Sequence, residues 1–208
     1  MRAGINRAQK PNYFLAVQCK QDVVERIQSI QESLASSAPH LTELFVDSAK
    51  AHVSLAVFAI PYGSQDELLQ KIKTALENCI AEANFQRFSV SSGALGHFNN
   101  SVLYLGVDDT EGRLAKLASA VKTQLATDGF EVVGIDRGYI PHITVAKISQ
   151  ARNYFLREAL SVEVIQEFMN LNQDSCEEVP VECLQLCRMG KRNNGQYYEV
   201  VFELPLKS

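Results

Sequence analysis

An internal repeat constrains the fold of this chain more than any other feature of its sequence. Two segments match at a constant offset of ninety residues, which takes His52 to His142 and the predicted helix 66–82 to 156–172. The other matched pairs are Leu15 and Leu105, Val17 and Val107, Val53 and Ile143, Ser54 and Thr144, Leu55 and Val145, and Ala56 and Ala146. Strands fall on strands and a helix falls on a helix, so the sequence predicts one α+β structure with two related lobes.

Hydrophobic periodicity predicts the same order of elements in both halves, beginning with strand, helix and strand. The predicted strands are 13–18, 52–60, 85–95, 102–107, 142–148, 179–188 and 196–204, and the predicted helices are 21–36, 65–83, 111–127 and 151–171. No linker rich in Gly, Pro or Ser separates the halves. We therefore expect an N-terminal tail at 1–10 and a single domain at 11–208. Its lobes would cover about 11–98 and about 100–208, related by a pseudo-two-fold axis.

Charge and hydropathy limit the classes of partner. The chain has 20 Lys and Arg against 24 Asp and Glu, a net charge of −4, which argues against general binding of long nucleic acids. A local basic site for a short oligonucleotide or mononucleotide remains compatible with that charge. The sequence has no apolar run of about 18 residues and no secretory signal in residues 1–10. We expect no membrane association and a location in the cytoplasm, with the nucleus as the alternative.

The residues best suited to chemistry are two His-x-Ser/Thr motifs on apolar strands. Side chains at positions i and i+2 of a strand point to the same face. His52 therefore shares a face with Ser54, and His142 shares a face with Thr144. By strict alternation, the next residue on each histidine face is an alanine, Ala56 or Ala146, which suits the floor of a cleft.

A single histidine on an apolar strand is more often a structural residue than a catalyst, but two at equivalent positions of a repeat favour a shared site. If the two strands lie side by side, both imidazoles and both hydroxyls meet around a space the size of a phosphate. Imidazole titrates near neutrality, so one copy can accept a proton while the other donates one. The residues leave open whether His52 or His142 is the base.

Other motifs carry less weight. Residues 39–42 also contain Pro-His-x-Thr, but Glu43 interrupts the apolar run and position 130 is Phe rather than His. We expect that copy in the loop after the first helix. Residues 93–96 lack the lysine of a phosphate-binding loop, and the five cysteines never form a C-x-x-C pair. The sequence predicts neither a metal nor a cofactor.

Paired His-x-Ser/Thr motifs in a duplicated α+β unit resemble the two-histidine (2H) phosphoesterase superfamily, whose fold is called LigT-like. The sequence is most similar to the nucleotide-binding central domain of A-kinase anchoring proteins of the gamma and delta type. The segments that carry this likeness are 11–15, 52–55, 141–144 with Lys147, 186–189 and 194–198. The resemblance implies two sheets rich in antiparallel pairs that face a central cleft, with helices outside.

The resemblance also implies an activity. His52 and His142 would be the catalytic pair, and Ser54 and Thr144 would hold the phosphate. The expected reaction is metal-independent cleavage of a 2′,5′-linked oligonucleotide to a 2′,3′-cyclic phosphate and a 5′-hydroxyl. Alternatives at the same site are hydrolysis of a 2′,3′-cyclic phosphate, trimming of RNA 3′ ends, opening of a cyclic dinucleotide, and binding of AMP without turnover.

Three further residues receive expectations from the resemblance. Tyr139 would stack on a base or pack on its lobe. Arg188 would contact a phosphate or lie solvated at a strand end. Lys147 falls on the face opposite Thr144 unless a bulge intervenes. The kinase-anchoring helix of the scaffold proteins lies beyond this domain, and the fold itself uses 151–171, so we predict that this chain does not anchor a kinase. We also expect a monomer.

Overall fold

The structure, a computed structural model, describes residues 10–61, 65–135, 138–151, 160–171, 176–190 and 196–208. The strands in these segments are β1 Tyr13–Gln18, β2 His52–Ala59, β3 Phe88–Phe98, β4 Val102–Asp108, β5 Glu131–Val132, β6 His142–Lys147, β7 Glu178–Val181, β8 Cys183–Arg188 and β9 Glu199–Pro205. The α-helices are α1 Gln21–Ser37, α2 Gln65–Glu82, α3 Arg113–Thr127 and α4 Val162–Met169. Short 3-10 helices are Pro39–Leu44, Ser48–Lys50 and Ile148–Gln150.

The strands form two antiparallel sheets, which confirms the predicted α+β fold class. Sheet I has the order β5-β2-β1-β8-β9, and sheet II has the order β6-β4-β3-β7. The series β2-β1-β8-β9 in sheet I corresponds to the series β6-β4-β3-β7 in sheet II, and the pseudo-two-fold axis between the lobes stays a prediction. However, β3 from the first half of the chain lies in sheet II, while β5, β8 and β9 from the second half lie in sheet I. The boundary between the halves of the sequence therefore does not coincide with the boundary between the sheets.

Strand pairing corrects one part of the predicted repeat. Ala16 in β1 pairs with Ser54 in β2, and Tyr104 in β4 pairs with Thr144 in β6. Strands β2 and β6 keep the predicted offset of ninety residues, but β1 and β4 match at an offset that is smaller by two residues. The predicted matches between the first strands are wrong by two positions, because the second half has two more residues between its first two strands.

Both β2 and β6 contain a bulge at the equivalent position. The register skips Leu55 in β2 and Val145 in β6, so each strand has one extra residue against its partner. Ala56 and Ala146 are consequently 2% and 1% exposed and pack in the core. The expectation that these alanines follow on the histidine face was therefore wrong, because the bulge reverses the alternation.

Two predicted elements are divided in the structure. The predicted helix 151–171 is wrong as a continuous element, because Ser161 caps α4 by accepting a hydrogen bond from the Val164 amide at 3.4 Å. Residues 152–159 of that helix lie outside the described part of the chain. The predicted strand 179–188 is divided at Glu182 into β7 of sheet II and β8 of sheet I. In both cases the apolar spacing continues past the point where the helix or strand is interrupted, so periodicity alone does not predict the interruption.

The main core forms where the helices cover the sheets. Helix α3 shows the predicted amphipathic pattern, and its five buried residues are Leu114, Leu117, Ala118, Val121 and Leu125. Helix α1 likewise buries Val23, Ile27, Ile30 and Leu34. Burial of each such aliphatic side chain contributes about 1.5–3 kcal/mol to folding. Within the described segments, no helix is long and apolar enough to span a membrane.

Gly106 in β4 pairs with His142, where β3 passes too closely for a side chain. A Cβ atom at Gly106 would lie 2.7 Å from the carbonyl oxygen of Ala94. We expect Gly106→Ala to lower the free energy of unfolding by about 2 kcal/mol, since the backbone must move. In Gly93→Ala the nearest atom would lie 3.5 Å from the new Cβ, so this control should change stability by less than about 1 kcal/mol. Urea denaturation measures both, and equal stabilities would contradict the prediction.

Candidate active site

The two histidines begin strands that approach each other between the sheets. Strands β2 and β6 come within 8 Å of each other between Cα atoms. The Nδ1 atom of His52 lies 2.7 Å from the carbonyl oxygen of Lys50, and that of His142 lies 2.8 Å from the carbonyl oxygen of Ile140. A carbonyl only accepts, so each Nδ1 carries the hydrogen and donates it. The Nε2 atom of each imidazole is left to exchange protons with a ligand.

The surroundings of the imidazoles favour their neutral forms. Burial lowers the pKa of His52 to about 4; the Lys50 carbonyl acts in the opposite direction, and the charges of Lys147 and His142 lower the pKa further. Burial also lowers the pKa of His142, opposed by its hydrogen bond to the Ile140 carbonyl. His52 is therefore neutral at pH 7, and the effect of His142 on His52 means that the two rings lie within electrostatic range of each other.

Each imidazole lies against two aromatic rings. The centroid distances are 4.9 Å from His52 to Phe14, 5.4 Å from His52 to Tyr198, 4.9 Å from His142 to Phe98 and 5.4 Å from His142 to Tyr104. These rings remove water from the imidazoles, which accounts for the lowered pKa values. Sequence analysis gave these four residues no role. Phe14, Phe98 and Tyr104 lie on strands that contain neither His-x-Ser/Thr motif, and Tyr198 lies just before β9.

A cavity of about 540 Å³ opens beside His142 and Ser54. Its size falls within the range of sites for small organic ligands. Most of its wall is apolar or aromatic, with one lysine. The lining residues are Ser54, Leu55, Ala56, Val57, Phe98, Asn99, Lys122, Val133, Gly134, Gly138, Tyr139, Ile140 and His142. The structure therefore joins residues from both halves of the chain in one site.

The two predicted hydroxyl groups lie on the histidine faces of their strands. Ser54 lines the cavity, and Thr144 lies opposite Tyr104, one of the rings against His142. Both residues are half-buried. In the described part of the chain, neither hydroxyl has a hydrogen-bond partner, so both can donate to a ligand.

Lys147 also lies on the histidine face. It pairs with Val102, while Thr144 pairs with Tyr104, and residues two apart on β4 share a face. Strict alternation predicted the opposite side for Lys147, and the bulge at Val145 is the physical reason for the difference. The effect of Lys147 on the pKa of His52 is consistent with this position.

The structure brings Tyr139 to the cavity. Its hydroxyl donates a hydrogen bond of 3.1 Å to the carbonyl oxygen of Ser54, and the Lys122 ammonium lies 5.3 Å from its ring centroid. Burial raises the pKa of Tyr139, so the hydroxyl keeps its proton at neutral pH. Stacking of Tyr139 on a base remains a prediction.

The structure does not bring Arg188 to the histidines. Its Nε donates to the Tyr13 hydroxyl at 3.1 Å, and its guanidinium pairs with Glu199 at 3.3 Å. Arg188 pairs with Tyr13 in the sheet, whereas His52 pairs with Gln18, roughly 16 Å further along β1. This placement favours the alternative role of a residue at a strand end.

The two remaining histidines lie on the surface. His40 belongs to the 3-10 helix that follows α1, as predicted for that copy of the motif, and His97 is an exposed residue of β3. Among the residues that the structure describes, no group of three His, Cys, Asp or Glu side chains is arranged to hold a metal ion.

The fold and the paired histidines define a phosphoesterase of the two-histidine superfamily. The chain belongs to the family described as the AKAP7 2'5' RNA ligase-like domain, whose model matches residues 11–206. It is 27% identical over 171 residues to the RNA 2',3'-cyclic phosphodiesterase of Methanothermobacter thermautotrophicus, covering 80% of this chain and 84% of the relative. Solved structures of E. coli LigT are similar over 96% of this chain and 100% of LigT. The TM-score is 0.64 at 17% identity for the apo form and 0.63 at 15% identity for the complex with 3'-AMP. These matches confirm the predicted superfamily and fold.

The buried state of His52 makes the stability of the protein depend on pH. Unfolded histidine binds a proton near pH 6.5, but folded His52 does so only near pH 4, so stability should fall as the pH is lowered between these values. We expect His52→Gln to weaken this dependence, whereas the exposed control His97→Gln should retain it. Urea denaturation at about pH 7 and about pH 5 tests this, and equal pH dependence in both variants would contradict it.

Proposed function

We propose that this protein is a metal-independent phosphodiesterase that cleaves 2′,5′-linked oligonucleotides with its two histidines as acid and base. The observation that carries the proposal is the matched pair of Nδ1–carbonyl hydrogen bonds, which leaves the Nε2 atom of each imidazole to exchange protons on two strands that come within 8 Å of each other. The family description and the name of the archaeal relative support phosphodiester chemistry on RNA. The complex of LigT with 3'-AMP supports a nucleotide as the ligand.

The reaction needs two proton transfers on opposite sides of the phosphorus. His52, neutral at pH 7, removes the proton from the ribose 3′-hydroxyl, and the 3′-oxygen attacks the phosphorus of the 2′,5′ linkage. His142 donates the proton on its Nε2 to the departing 5′-oxygen. The bond from phosphorus to that oxygen breaks, which yields a 2′,3′-cyclic phosphate and a 5′-hydroxyl. The negative phosphodiester favours the protonated form of His142 once the substrate is bound.

Neighbouring groups stabilise the charge that builds up at the phosphorus. The hydroxyls of Ser54 and Thr144 donate hydrogen bonds to the non-bridging oxygens, and the Lys147 ammonium offsets their negative charge. Proton transfer and charge neutralisation are both supplied by side chains, so the mechanism requires no metal. The nucleoside occupies the cavity, with its base against the rings of Phe98 and Tyr139.

Hydrolysis of a 2′,3′-cyclic phosphate is the second candidate, and the name of the archaeal relative favours it. The same residues would serve, with water as the attacking group and a ribose oxygen as the leaving group. The two activities differ in substrate and share the catalytic pair.

The substrate test uses protein in EDTA with 2′,5′-triadenylate, its 3′,5′ isomer and 2′,3′-cyclic AMP, each assayed separately. We expect cleavage of the 2′,5′ isomer, reduced at least about 10²-fold in His52→Ala and in His142→Ala, because each removes one proton transfer. His97→Ala, on the exposed surface, is the matched control. Cleavage of the cyclic nucleotide alone would support the second candidate. Tight AMP binding without cleavage would indicate a binding module, and loss of activity in EDTA would contradict a metal-free mechanism.

The lowered pKa values predict a bell-shaped pH profile of kcat/KM. The rate should rise with pH as His52 loses its proton near pH 4 and fall at higher pH as His142, whose pKa burial also lowers, loses its own proton. Lys147→Met should move the acidic limb to higher pH, since the lysine charge lowers the pKa of His52. Steady-state rates across the pH range measure both limbs. An acidic limb that stays in place in Lys147→Met would contradict this electrostatic role.

A further inference from the structure

Among the described residues that line the cavity beside His142, one lysine has no part in the proposed reaction. Lys122, on α3, lines this cavity together with Ser54 and His142. It makes no ion pair with any of the described residues, and burial lowers its pKa. A cation in a largely apolar wall loses hydration, and an anionic ligand would offset that loss.

Tyr139 fixes the position of this lysine relative to the reacting centre. The hydroxyl of Tyr139 donates to the carbonyl oxygen of Ser54, and the ring lies 5.3 Å from the Lys122 ammonium. The tyrosine therefore links the strand that carries His52 to the helix that carries Lys122. A cation–π contact of this kind holds the ammonium in place but leaves its charge available to an anion.

We propose that Lys122 forms a second phosphate subsite, so that the preferred substrates carry a further phosphate on the far side of the nucleoside in the cavity. This inference rests on the proposed function for the position of the first phosphate at the histidine pair. Successive phosphates of an oligonucleotide are separated by one nucleoside, and the cavity has room for one. A dinucleoside monophosphate lacks the further phosphate, whereas a 5′-phosphorylated dinucleotide or a longer chain contains it.

Binding of mononucleotides tests the subsite without requiring turnover. Isothermal titration calorimetry would compare adenosine 2′,5′-bisphosphate with 2′-AMP and 5′-AMP. We expect the wild-type protein to bind the bisphosphate about tenfold more tightly than either monophosphate, the gain of one charge-assisted contact. Lys122→Gln should reduce bisphosphate binding to the level of 2′-AMP and leave the binding of 2′-AMP unchanged, because its single phosphate lies at the histidine pair.

The matched control is Lys116→Gln, which removes the same charge from an exposed position of α3 outside the cavity lining. It should keep the tenfold preference. Equal binding of all three ligands by the wild type would overturn the proposal. So would the same loss in both variants, or weaker binding of every ligand in Lys122→Gln.

Turnover separates this inference from the proposed function. We expect wild-type kcat/KM to be about tenfold higher for a 5′-phosphorylated 2′,5′-dinucleotide than for the unphosphorylated form, and Lys122→Gln to remove that difference. Cleavage of both forms at equal rates would overturn the subsite and leave the proposed function standing. A Lys122-dependent preference in binding, with no cleavage of either form, would overturn the proposed function and leave the subsite standing.

Discussion

Each imidazole donates a hydrogen bond from Nδ1 to the carbonyl group two residues before it, once in each sheet. This hydrogen bond decides that Nε2 is the nitrogen left to exchange protons with a ligand. The backbone carbonyl has no proton to give, so the tautomer is set by the strand itself rather than by a buried carboxylate. The two rings therefore have the same tautomer but differ in their surroundings. Burial lowers the pKa of His52 to about 4, and the charge of Lys147 acts in the same direction. In the proposed mechanism this difference in surroundings makes His52 the base and His142 the acid.

Much of the fold follows from sequence periodicity. The first strand has the predicted bounds, 13–18, because its apolar run ends at polar residues on both sides. The histidine strands were also placed correctly, since the i, i+2 rule holds over the short stretch from His52 to Ser54 and from His142 to Thr144. Local alternation is reliable where the ladder is regular. The shared site required β2 and β6 to lie close together, and the two strands come within 8 Å of each other between Cα atoms.

The rest of the site depends on features with no local signal. The bulges at Leu55 and Val145 arise from pairing with a distant strand, so strict alternation put Lys147 on the wrong side. The rings against the imidazoles come from three separated parts of the chain, namely Phe14, the β3–β4 hairpin with Phe98 and Tyr104, and Tyr198, and tertiary packing brings these parts to the histidines. Lys122 belongs to a helix whose pattern predicts its buried face correctly but gives no sign that a cavity lies beside it. The sequence thus predicts the two histidines but not the residues that surround them.

The exchange of strands between the sheets has a consequence for how the chain folds. Strand β1 pairs with β2 on one side and with β8 on the other, and β8 leaves the ribosome long after β1 and β2. Until then, one edge of β1 has unsatisfied amide and carbonyl groups, the kind of edge that invites pairing with another molecule. The first half of the chain therefore cannot complete its own sheet, and folding must wait for contacts between residues far apart in sequence, which slows it. The corresponding strand orders of the two sheets in the folded protein give no indication of this dependence on the order of synthesis.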